Sequence, residues 1–178
     1  MCIRDSEDSS GKKQSYDFKK LIIATGARAR TLPSLPVDGE KVITYRHALA
    51  LKEQPKKMLV IGAGAIGIEF AYFFNALGTD VTVVELMDNI LPIEDQEISK
   101  TLEKNFKKNG ISVKTKTLVE SVERQGNSVK AVLKSGDSKE EWEGDHILVA
   151  IGVQGNVENL GLEAIGVQPE KSLSLIHI

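Results

Sequence analysis

Cysteine is nearly missing from this 178-residue sequence, which carries only Cys2. One thiol cannot build a disulfide framework, and it excludes a Cys-pair metal or redox site within the chain. Long apolar runs are missing too, and none approaches the roughly 18 residues that a spanning helix needs. The start lacks a basic segment followed by a long apolar stretch, so it does not read as a secretory signal. Neither sign of charge dominates: Lys+Arg number 23 and Asp+Glu 25, for a formal net charge of −2. No global field therefore favours nucleic acid or an anionic membrane. No metal site is expected, and a reducing cytoplasm is the expected compartment. What is present is ordinary, with 41% hydrophobic and 27% charged residues. That suits one domain, or one domain and part of another.

The two ends read as foreign. The DNA ATGTGTATAAGAGACAG, followed by a pyrimidine, encodes Met1 to Ser6. Its complementary strand, extended by one C, encodes Leu173 to Ile178. Terminal peptides related as two strands of one short DNA resemble a sequencing adapter translated in frame. Residues 1–6 and 173–178 are therefore expected to be artefactual tails on an internal fragment, and Cys2 and His177 carry no meaning.

Inside these ends, Glu7 to Lys13 is polar and reads as a loop or hairpin tip. Leu21-Ile22-Ile23-Ala24, stopped by Thr25-Gly26, has the pattern of a buried strand ending in a tight turn. Pro33, Pro36, Gly39 and Pro55 mark an irregular connection, with a short helix at Thr44 to Lys52 capped by Thr44. From Lys57 the pattern changes. Met58 to Ile61 is a continuous apolar run suited to a parallel strand covered on both faces. Ile66, Phe70, Phe73, Phe74 and Leu77 then form one helical stripe, predicted to be buried, with Gly78 just past it. Val81 to Val84 is a second strand. A second helix runs from about Glu94 to Gly110, with Ile98, Leu102 and Phe106 as its buried line. Ile111 to Thr115 is a third strand. Pieces near Val119–Val122, Val129–Leu133 and Glu140–Glu143, separated by Gly126-Asn127 and Ser135-Gly136-Asp137, predict an antiparallel meander. His146 to Ala150 returns as an apolar strand stopping at Ile151-Gly152. The fold class is α/β, a Rossmann-like domain with a β-meander insertion.

Gly62-Ala63-Gly64-Ala65-Ile66-Gly67 joins the first of these strands to its helix. A lone G-x-G-x-x-G is weak, but this one follows a buried strand, opens an amphipathic helix, and has Glu85 ending the next strand. Gly62 permits a tight turn, Gly64 leaves room for a pyrophosphate, and Gly67 lets helix and strand approach closely. The helix start presents unpaired N–H groups and a positive dipole end to phosphate. Glu85 lies near the spacing expected for the acid that binds ribose hydroxyls and repels a 2′-phosphate. Leu86 to Pro92 contains no Arg or Lys, which favours NAD over NADP. The competing view is a glycine-rich turn without a ligand. Glu69, placed in the first helical turn, is either a contact or a solvated acid favoured by the dipole.

The run from Gly62 to Ala71, with Val83-Val84-Glu85, resembles the NAD domain of the dihydrolipoamide dehydrogenase family of flavin-dependent pyridine nucleotide-disulfide oxidoreductases. So do Ile22 to Arg28, Val149 to Gly152, and Gly155 to Glu163. Glutathione reductases share the architecture but usually have Tyr at the position of Ile66 and basic residues after the second strand. The resemblance, which covers roughly residues 14 to 172, implies the following roles. Gly62, Ala63, Gly64, Ala65, Ile66, Gly67, Ile68 and Glu69 would hold NAD, with Ile66 and Glu69 near the nicotinamide. Glu85 would bind the adenosine ribose, Val119 would flank the adenine, and Gly152 would approach with its backbone. Thr25, Gly26 and Ala27 would contact FAD; from the residues alone they are an ordinary strand-ending turn. His47, His146 and Trp142 match no role and are expected at surface or satisfied positions.

The implied organisation is a remnant of an FAD-binding domain with linker over residues 7–52, an NAD-binding domain over 53–152, and a return toward the FAD domain over 153–172. In this family a dithiol reduces FAD and the flavin passes hydride to NAD⁺. The redox Cys pair and the His–Glu pair fall outside this chain, so no catalytic residue is expected in it and it should be inactive alone. The implied partners are the dihydrolipoyl domain of a 2-oxo acid dehydrogenase or glycine cleavage complex and a second copy in a homodimer, with no nucleic acid or membrane. A non-catalytic NAD-sensing module, another flavin disulfide reductase and an NADH peroxidase are the competing readings.

Overall fold

The computed structural model describes residues 2–168, and the side chains of residues 7–168. The expected tail at Leu173 to Ile178, and the last residues of the return segment, lie outside the described residues. The chain divides into two units, one made of residues 1–26 and 155–178, the other of residues 27–154.

In the smaller unit, β1 (Cys2–Glu7) and β2 (Lys13–Phe18) pair antiparallel. Glu7 to Lys13 thus includes the hairpin tip, closed by Asp8, whose carboxylate accepts from the amides of Ser10 and Lys12 at 2.9 and 3.1 Å. The expected strand at Leu21–Ala24 does not form: the run is irregular, and Ile22 is 91% exposed. An apolar run becomes a strand only where neighbours accept its backbone hydrogen bonds, and the sheet of this unit among the described residues is the hairpin alone. A 3₁₀ turn at Glu163–Ile165 closes on Gly166 and buries Leu162.

The larger unit opens with β3 (Ala27–Ala29), β4 (Val42–Ile43) and the short helix α1 (Tyr45–Ala48). Thr44 does stand at the start of α1, its amide donating to His47 Nδ1 at 3.2 Å. The helix is much shorter than Thr44 to Lys52. Next come β5 (Lys57–Ile61), α2 (Ala65–Ala76), β6 (Asp80–Val84), α3 (Gln96–Lys108) and β7 (Ser112–Lys114). The meander follows as β8 (Leu118–Gln125), β9 (Ser128–Ser135) and β10 (Ser138–Gly144), then β11 (His146–Val149) and β12 (Val153–Gly155).

Five strands form a parallel sheet in the order β4-β11-β5-β6-β7. The edge strand β4, lying in what the sequence presents as a linker, extends this sheet by two residues. Period-two geometry sends alternate side chains to opposite faces. Met58, Val60, Val81, Val83 and Leu148 join one apolar cluster with Ala71 and Phe74 of α2 and Phe106 of α3. Leu59, Ile61, Val84, Ile147 and Val149 join another with Val119, Val129, Ala131, Leu133 and Trp142 of the meander. The helices therefore cover one face and the meander the other. Both meander turns are tight, with Gln125 opposite Ser128 and Ser135 opposite Ser138.

Two predicted helical faces are buried only in part: Ile66, Phe70 and Phe74 of α2 and Leu102 and Phe106 of α3 pack on the core, and the remaining members do not. On α2 the buried residues are Gly67, Ile68, Ala71 and Phe74, whereas Phe73 and Leu77 are each 53% exposed. Gly67 is needed on the inner face because the helix lies tight against the end of β5 there. On α3, Ser99 and Phe106 are buried and Ile98 is exposed. Ser99 tolerates burial because its hydroxyl donates to the carbonyls of Leu91 and Asp95 at 3.2 and 3.1 Å.

Candidate functional site

The turn between β5 and α2 is dictated by glycine. Gly62 has φ +99°, and a Cβ there would lie 2.6 Å from the carbonyl oxygen of Ala150. At Gly67 an added Cβ would lie 2.0 Å from the carbonyl oxygen of Gly62, so any side chain would force the helix off the strand. At Gly64 the opposite holds: a Cβ would meet no described atom within 4 Å. Two of the three glycines are packing necessities, and the third faces open space.

Gly64 is also the N-cap of α2, and no side chain caps it. The first amides of an α-helix have no partner within the helix. Here no Ser, Thr, Asp or Asn supplies one. The N-terminus of α2 thus presents Ala65, Ile66 and Gly67 amides and the positive end of a helix dipole at a gap kept free by Gly64. Ile68 donates its amide to Gly64 at 3.0 Å and starts the regular ladder.

Glu85, 9% exposed, follows β6 directly and turns back onto this loop. Its Oε2 accepts from the Ala63 amide at 2.7 Å, and its Oε1 accepts from the Met87 amide at 2.9 Å. Each oxygen keeps a lone pair for a further donor. The carboxylate is therefore fixed in direction, one residue from Gly64. A group carrying both a diphosphate and vicinal hydroxyls matches these elements: bare amides for the first, an oriented carboxylate for the second. The residues present fit a dinucleotide.

The other predicted residues are placed as follows. Ile66 is partly buried against the helix-side core. Glu69 is exposed, and it is the fifth residue of α2, one turn later than predicted; the helix starts at Ala65, because Gly64 remains extended. Val119 is 6% exposed within the meander-side core, where the β8–β9 register shifts between Val119 and Ser121. Gly152, with φ +110°, accepts the Arg30 amide at 2.9 Å, and its Cβ position is open.

Thr25 and Gly26 belong to the smaller unit, and Ala27 opens β3 of the larger. Thr25 and Gly26 are held by Asn156: the Asn156 amide donates to Gly26 O at 2.9 Å, its side-chain amide donates to Thr25 O at 3.0 Å, and the Thr25 hydroxyl donates to Asn156 O at 2.6 Å. The sequence reading gave Asn156 no such part. A side-chain amide that copies a backbone pairing leaves no periodic signal.

An apolar cleft of the larger unit lies elsewhere. It measures about 350 Å³ and is lined by Leu49, Leu51, Phe70, Phe73 and Leu77, with Glu69 at its margin. Neither the glycine turn nor Glu85 contributes to it. It lies between the outward part of the apolar stripe on α2 and residues 48–54.

His47 is a surface residue as expected. Trp142 is not satisfied and His146 is so only in part: Trp142 Nε1 and His146 Nδ1 are buried with no hydrogen-bond partner among the described residues, while the His146 ring bonds to the Glu40 backbone. The Trp142 ring fills the meander-side core and crowds Gly144, where a Cβ would lie 2.4 Å from it, while Lys57 Nζ sits 5.5 Å from the ring centroid. Burying so large a ring outweighs one lost N–H bond. Burial, and then the Lys41 charge, lower the pKa of His146, so its neutral form is favoured. No cluster of His, Cys, Asp and Glu among the described residues could hold a metal ion. No helix among them is long and apolar enough to cross a membrane.

The model of the family described as pyridine nucleotide-disulphide oxidoreductase matches residues 2–173. A dihydrolipoyl dehydrogenase of Rhizobium etli is 46% identical over 158 residues, covering 88% of this chain and 33% of that protein. The crystal structure of LpdA from Mycobacterium tuberculosis superposes with a TM-score of 0.84 at 34% identity, over 95% of this chain and 36% of that one. The copper(II) complex of the HOCl-induced flavoprotein disulfide reductase RclA from Escherichia coli gives 0.82 at 25% identity, over 97% and 38%. The chain thus spans about a third of the length of the relatives it matches.

Proposed function

Since this chain belongs to the pyridine nucleotide-disulphide oxidoreductase family, whose members use FAD and NAD, we propose that it supplies the NAD-binding site of a dihydrolipoyl dehydrogenase. Residues 53–152 form that site, the expected linker within residues 27–52 adds β4 to its sheet, and residues 7–26 and 155–172 belong to the FAD side. One observation carries the reading: Glu85 is bonded to the glycine turn at Ala63, beside a helix start that has no cap of its own.

In this reading the amides of Ala65, Ile66 and Gly67 hold the diphosphate, and Gly64 keeps their approach clear. Glu85 accepts the adenosine ribose hydroxyls; a 2′-phosphate there would meet a buried negative charge. Val119 flanks the adenine, Gly152 approaches the cofactor with its backbone, and Ile66 and Glu69 stand on the nicotinamide side. Thr25, Gly26 and Ala27 contact FAD. Bound NAD⁺ supplies a hydride acceptor for reduced flavin. The chain's own contribution is placement and exclusion of the phosphorylated cofactor.

The parent enzyme would act in the cytoplasm as a homodimer on the dihydrolipoyl domain of a 2-oxo acid dehydrogenase or glycine cleavage complex. Catalysis needs a redox Cys pair, and one cysteine in 178 residues provides none within the chain. The chain alone is therefore inactive toward dihydrolipoamide. Fluorescence titration of the full chain with NADH and NADPH tests the site. Tighter binding of NADH, with the preference reduced in Glu85→Ala, is expected. Equal affinities in the unaltered chain would remove the role given to Glu85.

A further inference from the structure

The segment that carries Glu85 is bonded to the loop between β7 and β8, which carries Lys116. Met87 is the bridge: its amide donates to Glu85 Oε1 at 2.9 Å, and its carbonyl accepts the amide of Lys116 at 3.0 Å. The bonding continues on both sides, with Glu85 N donating to Lys114 O and Thr117 N donating to Glu85 O, each at 2.9 Å. Three backbone bonds therefore clamp the 114–117 loop onto the 85–87 segment. Lys116 sits in this clamp at φ +52°, a left-handed conformation unusual for a lysine. Its ammonium lies 3.6 Å from Asp88 Oδ1, and both side chains are exposed, at 66% and 76%. The neighbouring Lys114 is already engaged with Glu140 at 2.8 Å.

We propose, resting on the assignment of Glu85 to the adenosine ribose, that Lys116 and Asp88 are specificity-determining residues for the cofactor's 2′ position. Lys116 is a cation within reach of a 2′-phosphate, and Asp88 neutralises it. The rim then offers such a phosphate two carboxylates, Glu85 and Asp88, and no uncommitted ammonium. Removing the Asp88 charge deletes one repulsion and releases one attraction together. The ion pair is exposed, so its effect on the preference is modest.

The test is a titration of the full chain with NADH and NADPH at low ionic strength, for the unaltered protein, Asp88→Asn, and Asp88→Asn with Lys116→Gln. In Asp88→Asn the ratio of NADPH to NADH affinity should rise about fivefold, the size set by one weakly screened charge pair. Adding Lys116→Gln should cancel most of that gain, and about 1 M salt should erase it, since screening then acts within about 3 Å. An unmoved ratio in Asp88→Asn, or a gain that survives Lys116→Gln, overturns the proposal while leaving the site intact. Failure of the unaltered chain to bind NADH overturns the site assignment, and the proposal with it.

Discussion

The two long helices of the larger unit begin in opposite ways. At α3, Asp95 turns its own carboxylate onto the amides of Glu97 and Ile98 at 2.8 and 3.4 Å, and Glu97 adds a charge in the first turn. At α2 the cap is Gly64, with no side-chain bond, no acid in the first turn, and open space in front. Both helices pack on the same sheet face, so core burial does not distinguish them. The difference lies in whether the chain satisfies its own amides. A helix start left bare, beside a carboxylate aimed at the same turn, is a binding feature; a capped one is a stability feature.

Breaking the close approach at α2 should give the largest effect. Gly67→Ala drives a methyl into the Gly62 carbonyl and should cost about 3 kcal/mol, read as a lowered midpoint in urea unfolding. Gly64→Ala separates packing from binding. Its Cβ meets nothing, and φ −73° suits alanine, so the midpoint should stay near that of the unaltered chain. NADH affinity should nevertheless fall about tenfold or more, because the methyl occupies the approach to the bare amides. A loss of stability equal to that of Gly67→Ala would show that the gap is illusory.

Asp95→Ala should do the reverse of Gly64→Ala. Removing the cap should cost about 1 kcal/mol of stability, by chemical unfolding, with no change in NADH affinity. Asp38 extends the comparison, since its carboxylate collects the amides of Glu40, Lys41 and Val42 at 2.8, 2.8 and 2.9 Å. Partial burial pushes its pKa up, but these donors and the Arg124 charge outweigh that and hold it below the ordinary 3.8. A depressed acid binds its proton less well folded than unfolded. Its contribution is complete above the unfolded value and is lost as pH falls through the folded one. Stability should thus decline in acid below about 4, and Asp38→Asn should flatten that limb of the pH–stability curve. An unchanged limb would deny these amides any part in it.

The legible parts of the molecule are those written locally. Gly62, Gly64 and Gly67 declare a turn because all three fall within six residues, and Glu85 directly follows the very next strand. The meander was legible because its two-residue turns carry Gly126 and Gly136. The inner face of α2 was so only in part. Of the apolar stripe, Phe73 and Leu77 stay half-exposed, while close packing on β5 buries Gly67 and Ala71. Hydrophobic periodicity registers apolar size, not the thinness that a tight contact requires. Leu21–Ala24 misled for a related reason, since strand formation depends on partners that a local run does not contain. Lys116 escaped notice because a search after the second strand looks along the chain, whereas the loop arrives through space. The fold class, by contrast, followed from the alternation of strand and helix, and the parallel sheet bears it out.

The central claim is that the chain's own bare helix start, not its capped one, receives the cofactor's diphosphate. The most direct measurement is a ¹H–¹⁵N correlation spectrum of the full chain during titration with NAD⁺. Amide shifts at Ala63, Ala65, Ile66 and Gly67, with Glu97 and Ile98 unmoved, are the predicted result. Shifts at Glu97 and Ile98 instead, or no response at the glycine turn under saturating NAD⁺, would contradict it.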